Sequence, residues 1–313
     1  MKNLLIILCF ATLNSPAFAS PLGVETVQKM EELRTAVRVW APTCHGGLST
    51  EKECNQFDSI EFAGLLCATG EQERCDEIKR AQGPDGRWWR SENLVEKSVQ
   101  NSFSRDMKGG LLFYFAQTKD IQGLERWMKY LAENDNKMCD DATDTRCKIN
   151  IGGWTQLGYL YDYLGLKRDP RVKKSSNLND RISIISARTA PKGYPLMLIA
   201  NDIFLLRKLG VDEKWMMKSA SILLERQPHN PFFQYLVHGK SEDWAKTILD
   251  SCLAEGSEKM DDFFVQRELK RNAAGELIII RESWGEGRTN IPVKTMANGH
   301  DCLFLLNLAL NKL

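Results

Sequence analysis

The stretch NSFSRDMKGGLLFYFAQTKD, residues 101–120, decides how the rest of the chain is read. A polar run ends at Ser104-Arg105-Asp106. Beyond it Met107, Leu111, Tyr114 and Thr118 recur at helical spacing among other bulky apolar residues, which marks a buried helix. Ser104 reads as its N-cap, and Asp106 in the first turn complements the positive end of the helix dipole. Gly109-Gly110 leaves room for another backbone to approach. Arg105 and Asp106 are thus expected at the positive end of a buried helix, with the arginine keeping the carboxylate ionised or holding it for hydrogen bonding.

The same periodicity continues on both sides. Met30, Leu33, Val37 and Trp40 form one stripe, and Ile60, Ala63 and Cys67 a second that Gly70 closes. Ile121, Leu124, Met128 and Leu131 follow the opening helix directly. Then come Trp154, Leu157, Tyr161 and Leu164, and after them Leu196, Ile199, Ile203 and Leu206, ended by Gly210. Asn230-Pro231 is a cap followed by proline at the first helical position. Ser241 opens a helix through Trp244 and Ile248, and the last helix runs from about Asp301. Leu277 to Ile280 is the one clear strand signal, and the polar stretch 168–179 reads as the longest loop. Short connections between helices imply antiparallel hairpins. The expected fold class is therefore all-α: an α/α toroid or incomplete barrel of antiparallel helical hairpins, with at most a short β element near 277–280.

Residues 1–19 read as a secretory signal: Lys2, an apolar run from Leu4 to Leu13, and Ala17-Phe18-Ala19 before the cleavage point. The run is too short to span a bilayer, and no other run is long enough, so residues 20–313 are expected as a single periplasmic or secreted domain without a transmembrane segment. Loss of Lys2 leaves the 41 acidic residues balanced by an equal number of basic ones. Nucleic acid and anionic membranes, which call for a basic footprint, are not expected partners. Cys9 leaves with the signal. The remaining cysteines are an even set in an exported chain, expected as the disulfides Cys44–Cys54, Cys67–Cys75, Cys139–Cys147 and Cys252–Cys302. There is no C-x-x-C and no paired histidine, so no metal site is expected, and no glycine-rich phosphate loop or cofactor motif is present.

Other loops carry candidate chemistry. In GPDGRWWR, residues 83–90, a turn precedes Trp88 and Trp89, flanked by Arg87 and Arg90; exposed aromatics with arginines suit a sugar platform. The stapled loop 139–147 contains Asp141 and Asp144, either of which is a candidate second carboxylate. It leads into Gly152-Gly153-Trp154, another loop-to-helix junction. Asn101 precedes the SRD run, and Glu282 follows the strand as a reserve acid. Asn201-Asp202 lies inside an apolar helix, where an aspartate must be paired; it reads as a hydrogen-bond node. None of the four histidines sits in a known catalytic motif.

The junction Ser104 to Tyr114, S-R-D-M-K-G-G-L-L-F-Y, resembles the one in α/α-toroid carbohydrate enzymes, where a loop bearing an acid runs straight into an inner-ring helix. In family 8 glycoside hydrolases it reads roughly S-E-G-x-x-Y-G-M-L-L, with the Glu as general acid. Here the acid is Asp106, one position later, and Arg105 intervenes. The resemblance implies a polysaccharide or oligosaccharide as partner and a hydrolase or lyase working in a groove at one end of the toroid. Asp106 would be one acid, with Asp141, Asp144 or Glu282 as the other. Arg105 would orient the acid or the sugar, and Trp88 and Trp89 would stack on it. A binding protein without catalysis is the alternative expectation.

Overall fold

The computed structural model describes residues 22–40, 43–44, 47–48, 60–96, 103–139, 147–172, 177–190, 194–253, 267–271, 273–274, 277–282, 291–292 and 300–311. Twelve α-helices make up most of these. They are α1 Val24–Trp40, α2 Ile60–Ala68, α3 Gln72–Arg80, α4 Arg105–Thr118, α5 Ile121–Glu133, α6 Ile151–Tyr163, α7 Asn177–Thr189, α8 Tyr194–Lys208, α9 Lys214–Arg226, α10 Pro231–His238, α11 Glu242–Leu253 and α12 His300–Leu310. The protein is all-α in class, as the periodicity indicates.

Helices of two kinds alternate along the chain. Every residue of α2 but Phe62 is buried, and in α12 only Asp301 and Leu310 keep appreciable surface. Helices apolar on all sides belong in an interior. In contrast, α5 buries Leu124, Trp127, Met128 and Leu131 while Gln122, Glu125, Arg126 and Lys129 face solvent. The interior helices converge on Phe204 of α8. Its ring lies 5.6 Å from Phe113 of α4, 5.7 Å from Phe232 of α10 and 5.8 Å from Phe304 of α12.

Glycine sets the closest helix crossing. Gly64 of α2 and Gly110 of α4 face each other, and a Cβ at Gly110 would lie 2.7 Å from the Glu61 Cα. No side chain fits there, so α2 and α4 touch backbone to backbone. The sequence expectation of a close approach is met by Gly110 and not by Gly109, whose Cβ position is open.

Helix ends follow their local signals. Gly70 and Gly210 take positive φ, 100° and 77°, after α2 and α8. Asn230 accepts from the Phe232 and Phe233 amides ahead of α10, with Pro231 in the first turn. Cations from neighbouring segments satisfy other helix ends: Lys208 Nζ donates to Ala68 O at 3.2 Å, and Lys240 Nζ to Asn311 O at 2.7 Å.

Three disulfides are formed: Cys67–Cys75 joins the end of α2 to α3, Cys139–Cys147 closes the loop before α6, and Cys252–Cys302 ties α11 to α12. The Cys44–Cys54 pairing lies outside the described residues, as does the signal segment. Cys44 belongs to a hairpin of two short strands, β1 Thr43–Cys44 and β2 Gly47–Leu48. The strand expected near 277–280 is β4 Leu277–Glu282, the centre of a small antiparallel sheet between β3 Arg267–Arg271 and β5 Ile291–Pro292. Part of the stretch read as one long loop, 168–179, is instead the start of α7. That helix leaves Ile182 and Ile185 in solvent, so its sequence lacks the usual buried stripe.

Candidate functional site

A polar cluster forms where α2, α4, α6 and α8 meet. It begins with Lys108, in the first turn of α4, whose side chain is 6% exposed. Its stem passes Gly153 of α6, where a Cβ would stand 3.2 Å from the Lys108 Cδ. The glycine therefore gives the lysine its path. Asn150 caps that turn by accepting from the Gly153 amide at 2.8 Å.

The Lys108 ammonium donates to the Gln156 Oε1. The other end of the same amide, Gln156 Nε2, donates to Asp202 Oδ1 at 2.5 Å. One residue earlier on α8, the buried Asn201 donates from Nδ2 to Glu61 Oε1 of α2 at 2.7 Å, while its own Oδ1 is buried without a hydrogen-bond partner. Glu61 reaches the cluster because the Gly64–Gly110 crossing draws the start of α2 onto α4.

The charges act on one another. Burial pushes the Lys108 ammonium below the usual lysine range; Asp202, Glu61 and Asp106 oppose that shift, and Arg105 adds to it. Burial raises the Asp202 carboxyl above the ordinary aspartate value, against the pull of Lys108 and the Gln156 amide. Asp202 nonetheless keeps solvent-exposed surface. Asp202 thus stands at the outer end of the cluster and Lys108 at its buried end. Burial disfavours the charged form of both groups while each favours the other's charge, a pairing suited to proton transfer or to gripping hydroxyl groups.

Asp106 and Arg105 lie at the edge of this cluster, close enough to influence Lys108. Ser104 holds the N-cap position of α4, but its side chain does not cap the helix; its hydroxyl donates to Asp106 instead. Arg105 Nε donates to Lys148 O at 3.1 Å, tying the start of α4 to the chain entering α6.

The tryptophans depart from expectation. Trp88 is 1% and Trp89 6% exposed, so neither presents a face for stacking on a sugar. The Trp88 ring packs edge-on against Tyr114 and Phe115, and the Arg87 guanidinium lies 4.0 Å from the Trp89 ring centroid. The turn at Gly86, pressed against the Arg126 backbone, folds the loop inward and takes both indoles with it. Arg87 is buried with them, and Arg90 is half-buried. Trp154 is also buried, under the Arg171 guanidinium at 5.8 Å. Asn101, Asp141 and Asp144 fall outside the described residues. Glu282 is the last residue of β4, in register with Arg267.

Lys108, Gln156 and Glu61 went unrecognised as site residues from sequence. Lys108 follows a polar run and precedes Gly109-Gly110, Gln156 stands beside Thr155 soon after Gly152-Gly153, and Glu61 lies in an otherwise apolar helix. Asn201-Asp202, inside an apolar helix, is paired as expected, within a charged cluster that also holds Glu61, Gln156 and Lys108.

Elsewhere, Thr26, Lys29, Glu242, Asp243 and Lys246 line an open groove of about 490 Å³ between α1 and α11. Among the described residues no group of three or more His, Cys, Asp or Glu side chains is placed to hold a metal ion, and no helix is long and apolar enough to cross a membrane. No protein-family model matches the chain, and no curated protein matches it significantly.

Proposed function

We propose that the chain is an exported, glycan-active protein, a polysaccharide hydrolase or lyase, working through the cluster at Lys108, Gln156 and Asp202. One observation carries the reading: a carboxyl on α8 that keeps exposed surface is linked through a single amide to a buried lysine on α4. The alternation of all-round-buried and one-sided helices supports a double ring, with α2, α4, α6, α8, α10 and α12 inside. The three disulfides and the signal-like residues 1–19 support a periplasmic or secreted site of action.

In the hydrolase form, Asp202 acts as the general acid, giving a proton to the glycosidic oxygen as the bond to the anomeric carbon breaks. Asp106, at the rim, supplies the second carboxylate that such cleavage requires. Lys108 stabilises charge beside the reacting sugar, and Arg105 orients the rim. General acid assistance of this kind contributes roughly 10²–10⁴-fold in rate. The test is a screen of the mature protein against bacterial surface polysaccharides, peptidoglycan and plant glycans, reading new reducing ends and unsaturated products. Turnover that ignores both Asp202→Asn and Lys108→Met would remove the cluster from the mechanism.

A non-catalytic glycan-binding protein is the second reading. It is favoured by one detail: Lys108, Gln156 and Asp202 are already held to one another by hydrogen bonds, which suits a rigid receptor as well as a reactive site. Saturable binding without product would select it.

A further inference from the structure

We infer that Met217 is an oxidation site: an exposed thioether that a hydroperoxide converts to the sulfoxide, which Arg207 then holds by hydrogen bonding. The site stands apart from the cluster of α4, α6 and α8 and does not rest on the glycan reading.

Exposure singles the residue out. Met217 is 40% exposed, whereas the other described methionines, Met30, Met107, Met128, Met138, Met197 and Met216, are each at most 4% exposed. Oxidation of sulfur follows access to it.

Arg207 gives the second observation. It lies in the last turn of α8 and donates from Nη2 to Met217 Sδ, in the first turn of α9, at 2.9 Å. A guanidinium carries five N–H donors, and a thioether is a weak acceptor. Among the described residues this sulfur is the one hydrogen-bond acceptor that Arg207 has. Yet Arg207 is half-buried, and burial pushes its guanidinium below the ordinary value, against the pull of Tyr235 and Asp212. A partly desolvated cation therefore faces an acceptor too weak to replace its lost water.

Oxidation answers that deficit. One sulfur lone pair faces Arg207, and the other is left for the oxidant. It attacks one oxygen of the hydroperoxide as the O–O bond breaks. The proton of the attacked oxygen passes to the departing one, which leaves as water or an alcohol. Sulfur loses two electrons and the peroxide gains them. The new oxygen is a polar acceptor, and the three rotatable bonds of the side chain can bring it to the guanidinium.

The experiment treats the mature, disulfide-bonded chain with hydrogen peroxide and maps its tryptic peptides by mass spectrometry. Trp215-Met216-Met217-Lys218 is one such peptide, so fragment ions compare the two neighbouring sulfurs directly. Met217 is expected to gain oxygen roughly tenfold faster than Met216 or more in the folded chain, and at the same rate in urea. The form oxidised at Met217 alone, isolated by chromatography, should unfold at a urea midpoint equal to or above that of the untreated chain. In Arg207→Met, the same oxidation should lower the midpoint. Should that variant fail to fold, Met217→Gln decides against Met217→Leu: the amide oxygen can accept from Arg207, so the glutamine variant is expected to have the higher midpoint. Equal oxidation of Met216 and Met217 in the folded chain would overturn the inference. So would a midpoint that oxidation lowers as much with Arg207 as without it, or a glutamine variant no more stable than the leucine one.

Discussion

Lys108 and Asp202 meet through the two ends of the Gln156 side chain, a lysine on α4 and a carboxyl on α8 bridged by an amide on α6. Neither charge is neutralised by direct contact in this arrangement. Each is desolvated, and each is shifted toward its neutral form. Three helices must hold register for the bridge to exist, so the elements that fix α4 against its neighbours bear directly on the site.

The first of these is the glycine crossing. Gly110→Ala would drive a methyl group into the backbone of Ile60 and Glu61 and force α2 away from α4. The expected cost is about 1–3 kcal/mol or more, with loss of any ligand binding at the cluster. Gly109→Ala, one residue away in open space, should instead stabilise by about 0.5–1 kcal/mol, since alanine is the better helix former. Urea denaturation of both variants checks the contrast.

The Asp202 shift gives a pH dependence with a definite sign. A carboxyl whose folded value is raised binds its proton more tightly in the native state than in the unfolded chain. Its stabilising contribution is fully present below the ordinary aspartate value of 3.8 and is lost as pH rises through the folded value. Asp202→Asn keeps the neutral form at every pH and should remove that fall. Unfolding free energies of wild type and Asp202→Asn across the acid range should therefore diverge as pH rises, the variant being relatively more stable at neutral pH. Carboxyl carbon NMR of wild type should place the Asp202 midpoint above those of exposed aspartates.

Trp88 separates the two readings of the GPDGRWWR loop. It is buried against Tyr114 and Phe115. Trp88→Ala should therefore cost about 3–5 kcal/mol of stability, as a large core truncation does. A variant of undiminished stability with selectively weakened glycan binding would restore the platform role.

Disulfide removal should be graded by loop length. Opening Cys67–Cys75, with a sequence separation of 8, is expected to cost about 2.5 kcal/mol, and opening Cys252–Cys302, with a separation of 50, about 4 kcal/mol in the chain-entropy model. Paired Cys→Ala variants compared in denaturant would show the order. The larger effect belongs to the bridge that fastens α12, whose Phe304 packs on Phe204 and Phe232 at the centre of the interior helices.

Much of the fold was legible because local signals and tertiary roles agree. Met107, Leu111 and Tyr114 mark α4, Asn230-Pro231 marks the start of α10, and Gly70 and Gly210 sit where positive φ is needed. Helix α7 was not legible, because a helix that leaves Ile182 and Ile185 in solvent has no apolar stripe to announce it. Of the site, the start of α4 was visible and the buried cluster behind it was not. Arg105 and Asp106 stand out in a polar run at a helix start. Lys108, Gln156 and Glu61 belong to no motif, and their convergence depends on which helices touch, information carried by the crossing of Gly64 and Gly110 and by no local pattern. The two tryptophans misled for the converse reason: a loop rich in glycine and arginine looks exposed, yet contact with the Arg126 backbone turns it inward.

The most direct test of the cluster as the working site compares Asp202→Asn with wild type on a polysaccharide that the wild type cleaves, at equal folded concentration. A fall in reducing-end release of roughly 10²–10⁴-fold is expected, with the folded state intact or slightly more stable. Full turnover by Asp202→Asn would contradict it.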